Sequence, residues 1–344
     1  MIIKKLMYVK QNDLKVLYYY NIMMNNLSIK LFILFFIYLT NAQLYFKSKD
    51  EPEKYLKNKD VCNILSLSGG GSFGAVEIGI LSEIYQPYYD LMAGVSAGSI
   101  NVGLLSYFNS PSDTKLFKKG IDYVKNVYAK TKTSNFYVSN FYKAPTTWGV
   151  FDNTPARGYA DKILSTLIYP VDKQPTLVGT VNLNEGYLEI FRYDNYDKIQ
   201  QRKLILASTS IPFLFPPHNI NGTLYSDGGL ISNHILLGIQ SFIKCNNYNI
   251  TYISASPDLE ELKDISTPKM YTDRLLSILL GESINQLNQF ISIRCNFVST
   301  VTINYCYPTN VTELDKYYKL DFDYGEELYN IGKKSYKCEK YDFC

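Results

Sequence analysis

Residues 62–74, CNILSLSGGGSFG, and residues 89–98, YDLMAGVSAG, decide how this chain folds. In each, a short apolar run ends in glycine and a helical pattern follows. Cys62 to Leu67 reads as a buried strand, and Gly74 to about Tyr85 as a helix with Val76, Ile80, Leu81 and Ile84 on one side. Tyr89 to Ala93 reads as the next strand and Ala97 to Tyr107 as the next helix. Working outward, strands are expected at Pro175–Leu183, Tyr187–Tyr193 and Ile250–Ala255, and helices at Pro155–Leu167 and Asn233–Ile243. Strands alternating with helices of this length predict an α/β sheet covered on both faces.

Both glycine-rich junctions carry chemistry. Gly94-Val95-Ser96-Ala97-Gly98 is a G-x-S-x-G pattern placed between strand and helix. A sharp turn there raises the Ser96 hydroxyl clear of the backbone, and Gly94 and Gly98 remove side chains that would clash. The helix that follows turns its positive end towards developing negative charge. Upstream, the glycines of Ser68–Gly74 allow backbone N–H groups to close on an anionic oxygen. Gly69, Gly71 and Gly74 also spell G-x-G-x-x-G, the dinucleotide fingerprint, which wants an acidic residue at the end of the second strand. That strand runs into the Ser96 turn, and Asp90 lies at its beginning. A third element, Ser226-Asp227-Gly228-Gly229, follows the apolar, proline-flanked run Ile211–Pro217; taken alone it equally suits a type I′ turn.

With 344 residues, 46% of them hydrophobic, the chain can bury a full core. Its net charge of +3 gives no reason to expect a nucleic-acid surface. The lysines at 115, 118, 119, 125, 130 and 132 read as a solvated helix face, with attraction to anionic lipid headgroups as the alternative. Leu31–Leu39 is an apolar run preceded by Lys30 and followed by Thr40-Asn41-Ala42. These are the parts of a secretory signal cut after Ala42, and the run is far shorter than the about 20 residues that span a bilayer. Residues 1–42 are thus expected to be an upstream extension plus signal peptide, a signal anchor being the alternative. Six cysteines without tight metal spacing agree with an oxidising compartment, and Asn26, Asn221, Asn249 and Asn310 each begin an N-x-S/T triplet. Cys295 with Cys306, and Cys338 with Cys344, are near enough to close small loops. Asp273–Phe290 reads as an amphipathic helix capped by Thr272, followed by a Tyr- and Cys-rich tail expected to be irregular or hairpin-like. The expected organisation is a catalytic domain at 61–265 and a helical, disulfide-bearing extension at 266–344.

SGGGSFG at 68–74, GVSAGSIN at 94–101, ASTSIPFLFPP at 207–217 and the D-G-G at Asp227, with GVFDNTP at 149–155, together resemble the patatin-like phospholipase family over about Val61–Ala255. The resemblance implies a three-layer α/β sandwich around a mostly parallel sheet, and a Ser–Asp dyad that cleaves acyl esters of lipids without metal or cofactor. Carried onto this chain, Ser96 is the nucleophile, Asp227 its base, and Gly70 and Gly71, with Gly69 in the same loop, hold the oxyanion. Gly74, Gly94, Gly98, Gly228 and Gly229 complete the motifs. The implied partners are a lipid or phospholipid ester and, transiently, a membrane or micelle surface. One position departs from the pattern: Phe73 stands where the family usually has Arg or Lys, which bears on phospholipid preference and leaves a catalytically weak, lipid-binding member as an alternative. A Ser–His–Asp triad would need His234, read here as a surface or capping residue; His218 reads as a loop residue.

Overall fold

In the computed structural model, which describes residues 46–48, 59–140, 148–236, 239–256 and 300–343, the glycine-ended runs become the centre of one sheet. Its strands are β1 (Phe46–Ser48), β2 (Lys59–Leu67), β3 (Leu91–Val95), β6 (Thr176–Asn182), β7 (Tyr187–Arg192), β10 (Cys245–Ile253), β11 (Thr300–Pro308) and β12 (Tyr336–Phe343), in the order β1-β7-β6-β3-β2-β10-β11-β12. A hairpin of β8 (His218–Ile220) and β9 (Thr223–Asp227) joins through β9 to β6, while β4 (Val138–Ser139) pairs with β5 (Phe151–Asp152). The middle of the sheet, from β6 through β3, β2 and β10 to β11, is parallel.

Alternation along the strands sends side chains to two faces. Leu65, Leu67 and Met92 join an apolar cluster with α1 (Gly74–Ile84), α2 (Ala97–Leu105) and α3 (Leu116–Lys130). Ile64, Leu91, Ala93 and Val95 point the other way, against Ile235, Leu236 and the short α7 (Ile239–Phe242). The other α-helices among the described residues are α4 (Thr133–Phe136), α5 (Thr154–Ser165), α6 (Lys198–Ser208), α8 (Val311–Leu314) and α9 (Gly325–Lys334). The expected three-layer α/β architecture is therefore the observed one. The lysine-rich stretch falls on α3, which buries Phe117, Ile121, Val124 and Tyr128 and turns lysines outward.

Three expectations change. The described part of the Cys-containing C-terminal extension is hairpin-like, β11 and β12 pairing antiparallel with a disulfide between them, but it is built into the main sheet rather than standing apart from it. Strand β11 pairs with β10 over seven residues, and α9 lies so close to α1 that a Cβ on Gly79 would stand 2.1 Å from the Tyr329 carbonyl. The helix expected over Asn233–Ile243 is reduced to α7, because the Asn233 side chain is held by the glycine loop and Ser232 Oγ donates to the His234 carbonyl. Among the described residues the disulfides are Cys62–Cys245, between β2 and β10, and Cys306–Cys338, directly opposed across β11 and β12. Neither small loop allowed by spacing is made. The apolar run at 31–39 and the helix expected at 273–290 lie outside the described residues.

Candidate active site

The register of β6 brings Ser96 and Asp227 together. Val95, the last residue of β3, pairs with Gly179; Asp227, the last of β9, pairs with Thr180, the next residue along the same edge. Ser96 follows Val95 with φ of 52°, a left-handed conformation that an L side chain seldom adopts. The turn is over-determined by its neighbours. Ser96 N–H donates to Ser208 Oγ at 2.9 Å, Ser208 Oγ donates to the Gly179 carbonyl at 2.7 Å, and Gly98 N–H donates to the Ser68 carbonyl at 2.9 Å. A Cβ on Gly98 would lie 2.4 Å from the Leu67 carbonyl, and one on Gly94 2.3 Å from that of Gly98. Both glycines are therefore demanded by close packing, as is Gly228, whose Cβ would stand 2.6 Å from the Gly179 carbonyl.

Asp227 is fully buried. Its Oδ1 accepts the Gly229 N–H at 2.8 Å, and its own N–H donates to the Ser210 carbonyl. Oδ2 has no hydrogen-bond partner of ordinary geometry among the described residues. Burial pushes the carboxyl pKa up to about 7, against the opposing influence of the nearby Ser96 hydroxyl and the Gly229 N–H. This carboxyl can therefore take up or release a proton near neutral pH.

The glycine loop lies against Ser96. A Cβ on Gly69 would be 3.0 Å from Ser96 Cβ. The Gly69 N–H, expected among the oxyanion donors, is committed elsewhere: it donates to Asn233 Oδ1 at 2.9 Å. No described residue accepts from Gly70 or Gly71 N–H, and Gly71, at φ 60°, lines the cavity beside Ser96. Behind the loop, Ser68 N–H and Oγ both donate to the buried Glu77 carboxylate, whose other oxygen accepts from Asn101. The cavity measures about 470 Å³ counting its open mouth, and its apolar walls include Phe136, Ile211, Phe215 and Leu320. A second apolar cavity of about 530 Å³ adjoins it, sharing Ile100, Phe136, Ala156, Leu206 and Thr209.

Phe73 is buried, and the cation beside it comes from far along the chain. Lys319 Nζ stands 5.7 Å from the centre of the Phe73 ring and donates to Ser256 Oγ at 2.7 Å. No local pattern in the sequence marks Asn233, Lys319 or Leu320 as part of the site. His234 is neither exposed nor a cap. It is buried edge-on to Tyr252, neither ring nitrogen has a hydrogen-bond partner among the described residues, and burial lowers its pKa to about 4. It is thus hydrogen-bonded to neither Ser96 nor Asp227. His218 lies half-buried on β8, its pKa lowered to about 4 by burial and by Arg157, Lys203 and Arg202.

Comparison with known proteins places these elements in a family. The model of patatin-like phospholipases matches residues 65–238. An uncharacterized protein of Acanthamoeba polyphaga mimivirus is 23% identical over 309 residues, covering 84% of this chain and 95% of its own length. The cGAMP-activated phospholipase of Vibrio cholerae is 27% identical over 208 residues, 53% of this chain and 58% of that protein. Lysophospholipase NTE1 of Candida glabrata is 25% identical over 297 residues, 78% of this chain but 15% of the relative. The chain thus spans little more than half of the first phospholipase and a small part of the second. The matched region takes in the glycine loop, the Ser96 turn and Asp227, and with half of its length so matched the chain belongs to the patatin-like phospholipase family.

Proposed function

We propose that this protein is a lipid acyl hydrolase in which Ser96 and Asp227 form a catalytic dyad. The observation that carries the reading is the pairing of Val95 and Asp227 with consecutive residues of β6, next to a Ser96 that lines an apolar cavity. Ser96 Oγ attacks the ester carbonyl while its proton passes to Asp227 Oδ2. Gly70 and Gly71 N–H groups hold the oxyanion. As the intermediate collapses, the ester bond breaks, the leaving alcohol takes the proton from Asp227, and the acyl group remains on Ser96. Water then attacks the acyl-enzyme, giving one proton to Asp227; the fatty acid departs and Ser96 recovers its proton. A carboxyl with a pKa near 7 suits both proton transfers.

The relatives named as phospholipases favour a phospholipid or lysophospholipid ester as substrate. Lys319, beside Phe73, supplies positive charge close to the loop and supports that choice over neutral lipid. We read residues 61–265 as the catalytic body and 266–344 as the extension that completes it. Export, with residues 1–42 removed, is supported by the Cys62–Cys245 and Cys306–Cys338 disulfides and by exposed Asn221 and Asn310. The deciding experiment compares wild type with Ser96→Ala and Asp227→Asn on a short-chain p-nitrophenyl ester and on phospholipid vesicles. Both variants should lose activity about 10³-fold or more; turnover that persists in Ser96→Ala removes the nucleophile from the reading.

A further inference from the structure

We propose that Trp148 and Phe213 form the point at which the protein docks onto a phospholipid bilayer, at the lip of the Ser96 cavity. The inference rests on reading that cavity as a lipid ester site. Trp148 is the sole tryptophan of the chain and is 62% exposed; Phe213 is 44% exposed. Both hold left-handed backbone conformations, with φ of 61° and 66°, where a large L side chain is strained and Gly or Asn sits more easily. Two exposed aromatics thus stand at positions whose backbone conformation does not favour them.

The two rise from neighbouring backbone. Gly149 bridges to Phe213, Val150 N–H donates to the Phe213 carbonyl at 3.0 Å, and Phe151 N–H to the Leu214 carbonyl at 2.9 Å. Two residues past Phe213 the chain turns inward. Phe215 packs with Tyr137 and Phe151 and joins Ile211 and Leu320 in the apolar cluster that walls the cavity. Ile211 and Phe215, two residues to either side of Phe213, thus line the same cavity as Ser96. Two exposed cations flank this mouth in sequence: Lys132 opens α4, whose Phe136 lines the cavity, and Arg157 follows Ala156, which also lines it.

This combination fits a bilayer better than a protein partner. A long-chain ester is held in a lipid aggregate and has to leave it through the mouth of the cavity, so the mouth needs to meet that surface. An indole and a benzyl group suit the boundary between headgroups and acyl chains, and Lys or Arg beside them suits lipid phosphate.

A single tryptophan makes the test direct. In full-chain Ser96→Ala, Trp148 emission is followed as phosphatidylcholine vesicles are added, with and without lipids brominated high on the acyl chain. Docking predicts a shift to shorter wavelength and quenching by the brominated lipid. Phe213→Asn keeps the reporter and tolerates the backbone conformation; it should raise the half-saturating lipid concentration about tenfold. Trp148→Ala in the active protein should cut vesicle hydrolysis about tenfold and spare a soluble short-chain ester. Emission that ignores vesicles, or that shifts only with protein concentration, overturns the docking point, including when the soluble ester is cleaved normally. A lipid-dependent shift in a protein whose wild type cleaves no ester would instead retain the docking point and remove the hydrolase reading.

Discussion

The main-chain carbonyl of Lys319 accepts the Ser72 N–H at 2.7 Å, fastening the glycine loop to a segment well outside the family-matched residues. The same carbonyl stands 2.1 Å from where a Cβ on Gly71 would lie. Gly71→Ala would therefore push the loop off Lys319 and force φ 60° on an L residue. We expect kcat on a soluble ester to fall about 10²-fold, the loss of one oxyanion donor, while the thermal midpoint drops by only a few degrees. An unchanged kcat would remove this loop from the oxyanion site.

Asp227 links activity and stability to pH in opposite senses. The proposed mechanism uses it as a base, which has to be ionised, so that reading predicts kcat/KM rising through about pH 7 and levelling off above it. For stability, the folded carboxyl, raised above its ordinary value of 3.8, keeps a proton that the unfolded chain releases. The folded state is thus favoured below about pH 4 and loses that advantage as pH climbs to about 7. Asp227→Asn removes the buried charge. It should be inactive yet more stable than wild type in urea unfolding at pH 8, by a few kcal/mol at most, with the gap closing near pH 4.

His234 shows the reverse dependence. Its folded pKa of about 4 lies below the ordinary 6.5, so its contribution is fully present above about pH 6.5 and is lost as pH falls towards 4. His234→Phe keeps an aromatic against Tyr252 and removes the titration. Relative to wild type it should gain about 2 kcal/mol more at pH 5 than at pH 8, read by urea unfolding. Esterase activity should survive; its collapse would revive a histidine-dependent triad.

What the sequence made legible here is local. The strained turn at Ser96 and the glycine loop announce themselves because tight strand-to-helix junctions require glycine within a few residues. Asp227 is visible through the glycines after it. The contacts that complete the site are not local. Asn233 reaches Gly69 across 164 positions, and Lys319 reaches Ser72 from beyond the family-matched stretch, both through residue types common on any surface. Strands β11 and β12 escaped notice because Thr, Asn, Lys and Tyr alternate at this sheet edge instead of forming a continuous apolar run. Nothing in the immediate neighbours of His234 reveals that Asn233 pins the chain inward.

Ala156 offers control over substrate length. It lines both apolar cavities, and the second continues towards Leu104, Ile163 and Leu164. Ala156→Leu should obstruct the passage between them, lowering hydrolysis of a sixteen-carbon ester about tenfold relative to a four-carbon ester. Equal losses on both would mean that the acyl chain takes another path.

The fastening of the glycine loop by Lys319 also bears on the timing of synthesis. A growing chain that has reached Ser256 already contains Ser96, Asp227 and every glycine of the loop, yet it lacks the carbonyl that holds Ser72 and the Leu320 and Phe322 walls of the cavity. It lacks β11 and α9 as well, so one edge of the sheet and one side of α1 are still bare. Up to that point the glycine loop beside Ser96 stands without its Lys319 anchor, and the cavity without two of its apolar walls.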